Sequence, residues 1–124
     1  MTHRGVILVL ISALLTVAAN LLLRQGVTAA GGFSLSLGGL GKGVIHLLRQ
    51  PLFDVGVFLY GVASLVWFSV ISTEDLSSSY PLLVSLTFLL VTLGAVAFFG
   101  ETLSMRKLVG LLVLLAGIWL VAGA

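Results

Sequence analysis

The sequence predicts an all-α integral membrane protein with four transmembrane helices. Of its 124 residues, 60% are apolar and 8% are charged, whereas soluble domains carry about 25% charged residues. Four long apolar stretches, each close to the ~20 residues that a helix needs to cross a bilayer, are separated by polar segments. They place the spans at about 5–23, 52–72, 77–99 and 108–123, within one domain covering 1–124.

The first span carries a stripe of polar residues. Ser12, Thr16 and Asn20 are spaced by four residues, so they lie on one face of a helix. An asparagine amide is costly to expose to lipid, and we therefore expect Asn20 to face protein or water. Thr16 and Asn20 then either line a cavity or bond a neighbouring turn or helix.

A glycine-rich first loop separates the first two spans. Seven glycines lie between Gln25 and Gln50 and are expected to break any long helix. Residues 40–49 still place their leucines and Val44 on one side, which predicts a short helix in the interface plane. Pro51 suits the first turn of the next helix.

The third span opens on three serines, Tyr80 and Pro81. A helix that begins with so many hydrogen-bonding groups is not expected to face lipid on all sides. We expect it to line a polar cavity, to which Tyr80 and Ser85 contribute. The alternative for Tyr80 is a place in the aromatic belt at the membrane surface.

In the fourth span, Gly110 and Gly117 are seven residues apart. Two small residues spaced by two helical turns leave a groove that another helix can approach closely. This pair is the predicted dimer interface.

The basic residues predict the orientation in the membrane. Arg4 stands alone on the side of the termini, and five basic residues stand on the other side, namely Arg24, Lys42, Arg49, Arg106 and Lys107. Because positive charges concentrate in cytoplasmic loops, the first and third loops are predicted to be cytoplasmic. Both termini are then periplasmic, and dual insertion is not expected.

Several function classes are excluded or disfavoured. The chain has no cysteine, which rules out disulfides and thiol chemistry. The acids Asp54, Glu74, Asp75 and Glu101 lie outside the span centres, and no nucleophile–base set is visible. We therefore expect no enzyme, catalytic residue, metal or cofactor. The net charge of +2 is too small and scattered for nucleic acid.

Two segments carry a resemblance to a known family, 15–25 and 80–96, together with Glu101 after them. With the polar-started third helix and the glycine pair, they resemble the small multidrug resistance family and, more broadly, the drug/metabolite transporter superfamily. Small multidrug exporters carry a membrane-embedded glutamate that here falls on Thr16. The chain looks closer to subunits of the aminoarabinose–phosphoundecaprenol flippase, which also lack that glutamate.

The resemblance implies a flippase in the bacterial inner membrane that moves a polyprenyl-phosphate-linked sugar from the cytoplasmic to the periplasmic leaflet. In that picture Arg24, with Arg49 or Lys107, meets the phosphate, because a guanidinium matches phosphate oxygens. The sugar crosses along Thr16, Asn20, Ser85 and Tyr80. Four helices are few for such a transporter, so a homo- or heterodimer is expected.

Two alternatives remain open from the sequence. One is a small multidrug-type exporter of cations or metabolites, coupled through Glu101 or Asp54. The other is a non-transporting membrane subunit of a glycosyltransferase complex. For individual residues the simpler roles also stay open: Arg24 as a membrane-surface anchor, and Trp67 and Tyr60 as packing or belt residues. Glu101 is either a loop or cap residue or the partner of a cytoplasmic arginine.

Overall fold

The computed structural model describes residues 2–33 and 38–122, and these form five helices. The helices are listed in chain order: α1 His3–Ala29, α2 Leu40–Leu48, α3 Pro51–Ile71, α4 Leu76–Phe99 and α5 Met105–Ala122. The described part of the chain is all-helical, as predicted. Within it, α1, α3 and α4 are long and apolar enough to cross a membrane, which makes this a multi-pass membrane protein. Helix α5 coincides with the fourth predicted span, whose crossing stays a prediction.

Helix α1 extends beyond its predicted end. Its N-cap is Thr2, whose hydroxyl accepts a hydrogen bond from the Gly5 amide at 3.0 Å, and the helix continues through Gly26 to Ala29. Gly26 was expected to break the helix. Instead the missing side chain lets α1 approach α3, since a methyl group at Gly26 would lie 2.6 Å from the backbone nitrogen of Phe53.

Helix α1 is the centre of the bundle and packs along α3 and against α4, while α5 packs on α4 and α2 on α3. The core is made of small and β-branched side chains, such as Val9, Ala13, Ala63 and Val70. Gly56 on α3 lies so close to α1 that a methyl group there would be 3.1 Å from the Ala19 carbonyl oxygen. Small residues permit such close approach of membrane helices.

Two polar contacts fix the ends of the bundle. At one end the Thr2 hydroxyl bonds to the Glu74 carboxylate in the turn between α3 and α4. At the other end Arg24 pairs with Glu101, which follows α4. Successive long helices therefore run in opposite directions through the bundle. Arg24 and Lys107, both predicted to be cytoplasmic, line one cavity at the same end of the bundle.

The outward faces of the helices are strongly apolar. Phe58, Phe98 and Trp119 are 70%, 76% and 80% exposed. Water would disfavour such a surface, and the hydrocarbon core of a bilayer accepts it because the helices satisfy their own backbone hydrogen bonds. Because the outer surface is apolar, a binding site for a polar ligand is expected among the polar groups inside the bundle.

Candidate functional site

A large cavity opens between α1, α4 and α5, with a volume of about 840 Å³. We call it the Arg24 cavity. Most of its wall is apolar, and its polar lining consists of Asn20, Arg24, Thr92, Glu101, Thr102 and Lys107. Its charged members come from the C-terminal part of α1, the connection after α4 and the first turn of α5. The cavity is therefore an apolar space with its charges gathered at one end of the bundle.

Arg24 is held in a defined position at this cavity. Its Nη1 donates a hydrogen bond to Glu101 Oε2 at 2.8 Å, and its guanidinium carbon lies 5.0 Å from the centre of the Phe99 ring, a cation–π distance. The side chains of Arg24 and Glu101 are 57% and 38% exposed, so a ligand can reach them. The ion pair uses one of the five N–H donors of a guanidinium.

A second cavity of about 590 Å³ lies between α1, α3 and α4. We call it the Trp67 cavity. Hydroxyl, amide and aromatic side chains make up much of its wall: Ser12, Thr16, Asn20, Tyr60, Ser64, Trp67, Tyr80 and Thr87. The rings of Trp67 and Tyr80 are 6.1 Å apart and tilted by 54°. This cavity offers uncharged hydrogen-bonding groups beside aromatic surface.

The two cavities adjoin. Both are lined by Asn20, Phe88 and Val91. From Asn20, Arg24 lies one turn further along α1 in the Arg24 cavity, and Thr16 lies one turn back in the Trp67 cavity. We call the two cavities together the passage. The polar stripe of α1 thus runs along the passage and ends at Arg24.

The polar groups of the stripe also bond within the bundle. Thr16 Oγ1 donates to the Ser12 carbonyl at 2.7 Å and Asn20 Nδ2 donates to the Thr16 carbonyl at 3.0 Å, so each bonds its preceding turn. Ser12 Oγ donates to the Ala63 carbonyl at 3.1 Å and joins α1 to α3. Cavity lining and local bonding, which the sequence left as alternatives, coexist in this structure.

Thr87 differs from its neighbours. Its hydroxyl oxygen is buried and has no hydrogen-bond partner among the described residues, and the residue lines the Trp67 cavity. A buried hydroxyl without a partner is destabilising by about 1–3 kcal/mol. Such a group gains a partner when a polar ligand or water enters the cavity.

The structure brings together most of the residues that the sequence singled out. Arg24 and Lys107 line the Arg24 cavity, Thr16 and Tyr80 line the Trp67 cavity, and Asn20 lines both. Within the described chain, Ser85 and Arg49 line neither of these cavities. Of the predicted interface pair, Gly110 borders the Arg24 cavity, and Gly117 has open space where a side chain would be.

Three lining residues were not expected from the sequence. Tyr60, Ser64 and Trp67 recur at intervals of four and three residues on α3, which is the spacing of one helical face. That spacing was the feature of the sequence from which these lining residues could have been predicted. Glu101 was expected to be a loop or cap residue or the partner of an arginine, and the structure pairs it with Arg24.

The fold and the passage define a class: a multi-pass membrane protein with adjoining, partly polar cavities inside an apolar bundle. Neither a protein-family model nor a solved structure gives a significant match to the chain. Curated relatives do match it over nearly its whole length.

A probable 4-amino-4-deoxy-L-arabinose-phosphoundecaprenol flippase subunit ArnE from Erwinia tasmaniensis is 34% identical, over 92% of this chain and 93% of the relative. A probable subunit ArnF of the same flippase from Photorhabdus laumondii is 30% identical, over 96% and 97%. An ArnF from Serratia proteamaculans is 32% identical, over 89% and 85%. The chain belongs to this family of flippase subunits, as the resemblance indicated.

Proposed function

We propose that this chain is a subunit of a flippase in the bacterial inner membrane. It moves a polyprenyl-phosphate-linked sugar, such as aminoarabinose, from the cytoplasmic to the periplasmic leaflet. The observation that carries the proposal is the passage, in which a cavity with basic lining at Arg24 adjoins an uncharged polar and aromatic cavity at Trp67. The names of the family members support the class of substrate.

In this proposal the phosphate binds at the basic end. Arg24 and Lys107 both line the Arg24 cavity, and a guanidinium can donate two parallel hydrogen bonds to a phosphate. Because the rest of the wall is mostly apolar, the attraction between phosphate and cation is screened less than in water. The polyprenyl tail remains in the bilayer, alongside the apolar outer faces of the helices.

The sugar head then enters the Trp67 cavity. Its hydroxyls replace their bonds to water with bonds to protein hydroxyls and the Asn20 amide, which lowers the desolvation cost that blocks spontaneous flipping. The aromatic surfaces of Trp67 and Tyr80 suit the apolar face of a sugar ring. The volumes of both cavities lie in the range of small-molecule sites, about 300–1,000 Å³.

A cation exporter fits the passage less well. Of the described residues that line the two cavities, Glu101 is the only carboxylate, and it is paired with Arg24. A cationic drug there would meet the positive charges of Arg24 and Lys107. Proton release on adding quaternary ammonium compounds to the solubilised protein would instead support the exporter.

Reconstitution tests the proposed function directly. We expect vesicles containing this chain, together with the complementary subunit where one is required, to carry aminoarabinose lipid between leaflets. The amine of the sugar allows a membrane-impermeant amine reagent to report the exposed fraction over time. If no combination of subunits changes that fraction relative to empty vesicles, the non-transporting subunit is the better account.

The substitution Asn20→Leu tests the junction of the cavities. Leucine keeps the number and branching of the side-chain heavy atoms but removes the amide at the one polar residue that lines both cavities. We expect a fall in transport of about tenfold, since a sugar hydroxyl loses a partner in an apolar setting. Thr28→Val is the matched control, because Thr28 also bonds its preceding turn on α1, at 2.8 Å, but lies beyond Arg24. Equal rates in both variants would contradict a route past Asn20.

We further propose a homo- or heterodimer through α5. Methyl groups at Gly110 and Gly117 would meet nothing within 4 Å in the described chain, and much of α5 is exposed apolar surface. A partner helix seated on this glycine face would also cover the side of the Arg24 cavity that Gly110 borders.

Cysteine cross-linking tests this dimer, since the chain has no cysteine of its own. We expect Gly117→Cys to form a disulfide-linked dimer in membranes, either with a second copy or with a subunit that carries the equivalent cysteine. Leu112→Cys, exposed on the far side of α5, serves as the control and is expected to remain monomeric. Cross-linking of Leu112→Cys alone would place the interface on the opposite face.

A further inference from the structure

The Arg24 cavity is lined by a carboxylate as well as by basic side chains. Its charged lining is two cations, Arg24 and Lys107, and one carboxylate, Glu101. That leaves a single net positive charge. A site built only for maximum attraction of phosphate would not place a carboxylate 2.8 Å from its guanidinium.

The position of Glu101 is fixed by its backbone. Helix α4 ends at Gly100, which has a φ of 65°, a left-handed conformation that glycine adopts without strain. The Glu101 amide then bonds back to the Ala95 carbonyl at 3.3 Å. The backbone of Glu101 is therefore held beside the cavity independently of its pair with Arg24, so its carboxylate remains within a few ångströms when an incoming anion bonds to Arg24.

Phosphate groups differ in charge according to their esterification. A phosphodiester carries one negative charge, whereas a phosphomonoester carries about −1.5 to −2 at pH 7. One net positive charge balances the diester. The monoester brings a surplus negative charge next to the carboxylate of Glu101, and like charges at a few ångströms repel.

We infer that Glu101 makes the Arg24 cavity selective for phosphodiesters over phosphomonoesters. The inference rests on the proposed function, because a sugar joined to a polyprenol through phosphate is a diester. The carrier that remains once the sugar is removed is a monoester. Glu101 thus limits competition by the unloaded carrier, and Arg24 with Lys107 provides the attraction that both lipids share.

The test compares two probes that differ only in charge and one methyl group: farnesyl phosphate and its methyl ester. Their affinities are measured by titration calorimetry on the full chain in neutral detergent at pH 7.5. The wild-type protein is expected to bind the methyl ester at least as tightly as farnesyl phosphate. In Glu101→Gln, which keeps a hydrogen-bond acceptor for Arg24, farnesyl phosphate is expected to gain about three- to tenfold more affinity than the methyl ester.

Glu74→Gln is the matched control, since it removes a carboxylate at the opposite end of the bundle, and its ratio of affinities is expected to equal that of the wild type. Inorganic phosphate at tenfold excess is expected not to displace either lipid. Displacement would show a site for free phosphate and overturn the inference.

The remaining outcomes separate this inference from the proposed function. If both probes bind, Arg24→Ala weakens both, and Glu101→Gln leaves their ratio unchanged, the selectivity role of Glu101 is wrong and the phosphate site stands. If the wild type binds neither probe, or if Arg24→Ala binds both probes as tightly as the wild type does, both the inference and the phosphate site are overturned.

Discussion

Replacing Arg24 with alanine is expected to lower transport of the lipid-linked sugar by tenfold or more. Arg24 is the residue that joins the polar stripe of α1 to the charged end of the passage. A charge-assisted hydrogen bond in such a setting contributes about 1.5–3 kcal/mol, which corresponds to at least a tenfold change in rate or affinity. The measurement is the rate at which the sugar amine becomes accessible in reconstituted vesicles.

Arg106→Ala provides the control for Arg24. Arg106 lies beside Lys107 at the start of α5, and within the described chain it lines neither cavity. Its loss removes the same charge from the same end of the bundle and is expected to leave transport within twofold. Arg24→Lys adds a second comparison, since lysine keeps the charge but loses the planar pair of donors. Full transport activity of Arg24→Ala would contradict the role of Arg24 as a phosphate ligand and would favour its role as a membrane-surface anchor.

The second large effect is expected at the contact of α1 with α3. Gly26→Ala and Gly56→Ala each place a methyl group closer than van der Waals contact to backbone atoms of the other helix, 2.6 Å from Phe53 N and 3.1 Å from Ala19 O. Backbone cannot move aside as a flexible side chain can, so the helices must separate. We expect each change to destabilise the protein by about 1–3 kcal/mol, seen as a fall of several degrees in the thermal midpoint of detergent-solubilised protein.

Gly61→Ala is the matched control for these glycines. Gly61 lies on the same helix as Gly56, and a methyl group there meets nothing within 4 Å. Alanine is the better helix former by about 1 kcal/mol, so the midpoint is expected to stay the same or rise. A fall in Gly61→Ala as large as in Gly56→Ala would mean that glycine matters for flexibility rather than for close approach.

Much of the fold followed from composition and periodicity. The long apolar stretches predicted helices close to those observed, because length and hydrophobicity alone decide which segments can cross a bilayer. The end of α1 was misplaced, since Gly26 was weighed by its low helix propensity. Its contact with Phe53 on α3 is a tertiary effect, and no local rule contains it.

The candidate site was partly accessible in the same way. The spacing of Ser12, Thr16 and Asn20 predicted one helical face, and these residues do line the passage. Trp67 was missed because an aromatic residue in a membrane helix packs or anchors more often than it binds. Only the approach of α3 to α4 shows that its ring lies 6.1 Å from that of Tyr80.

The sequence by itself determined a membrane protein with helical spans and a polar stripe ending in arginine, because burial in lipid and the 3.6-residue period act on each segment alone. The tertiary structure alone decided that Glu101, seventy-seven positions away in the chain, pairs with Arg24, and that two cavities adjoin at Asn20. Such pairings depend on how closely helices approach one another. Between α1 and α3 that distance is set at Gly26 and Gly56, by contacts between segments distant in the chain that neither segment's own sequence contains.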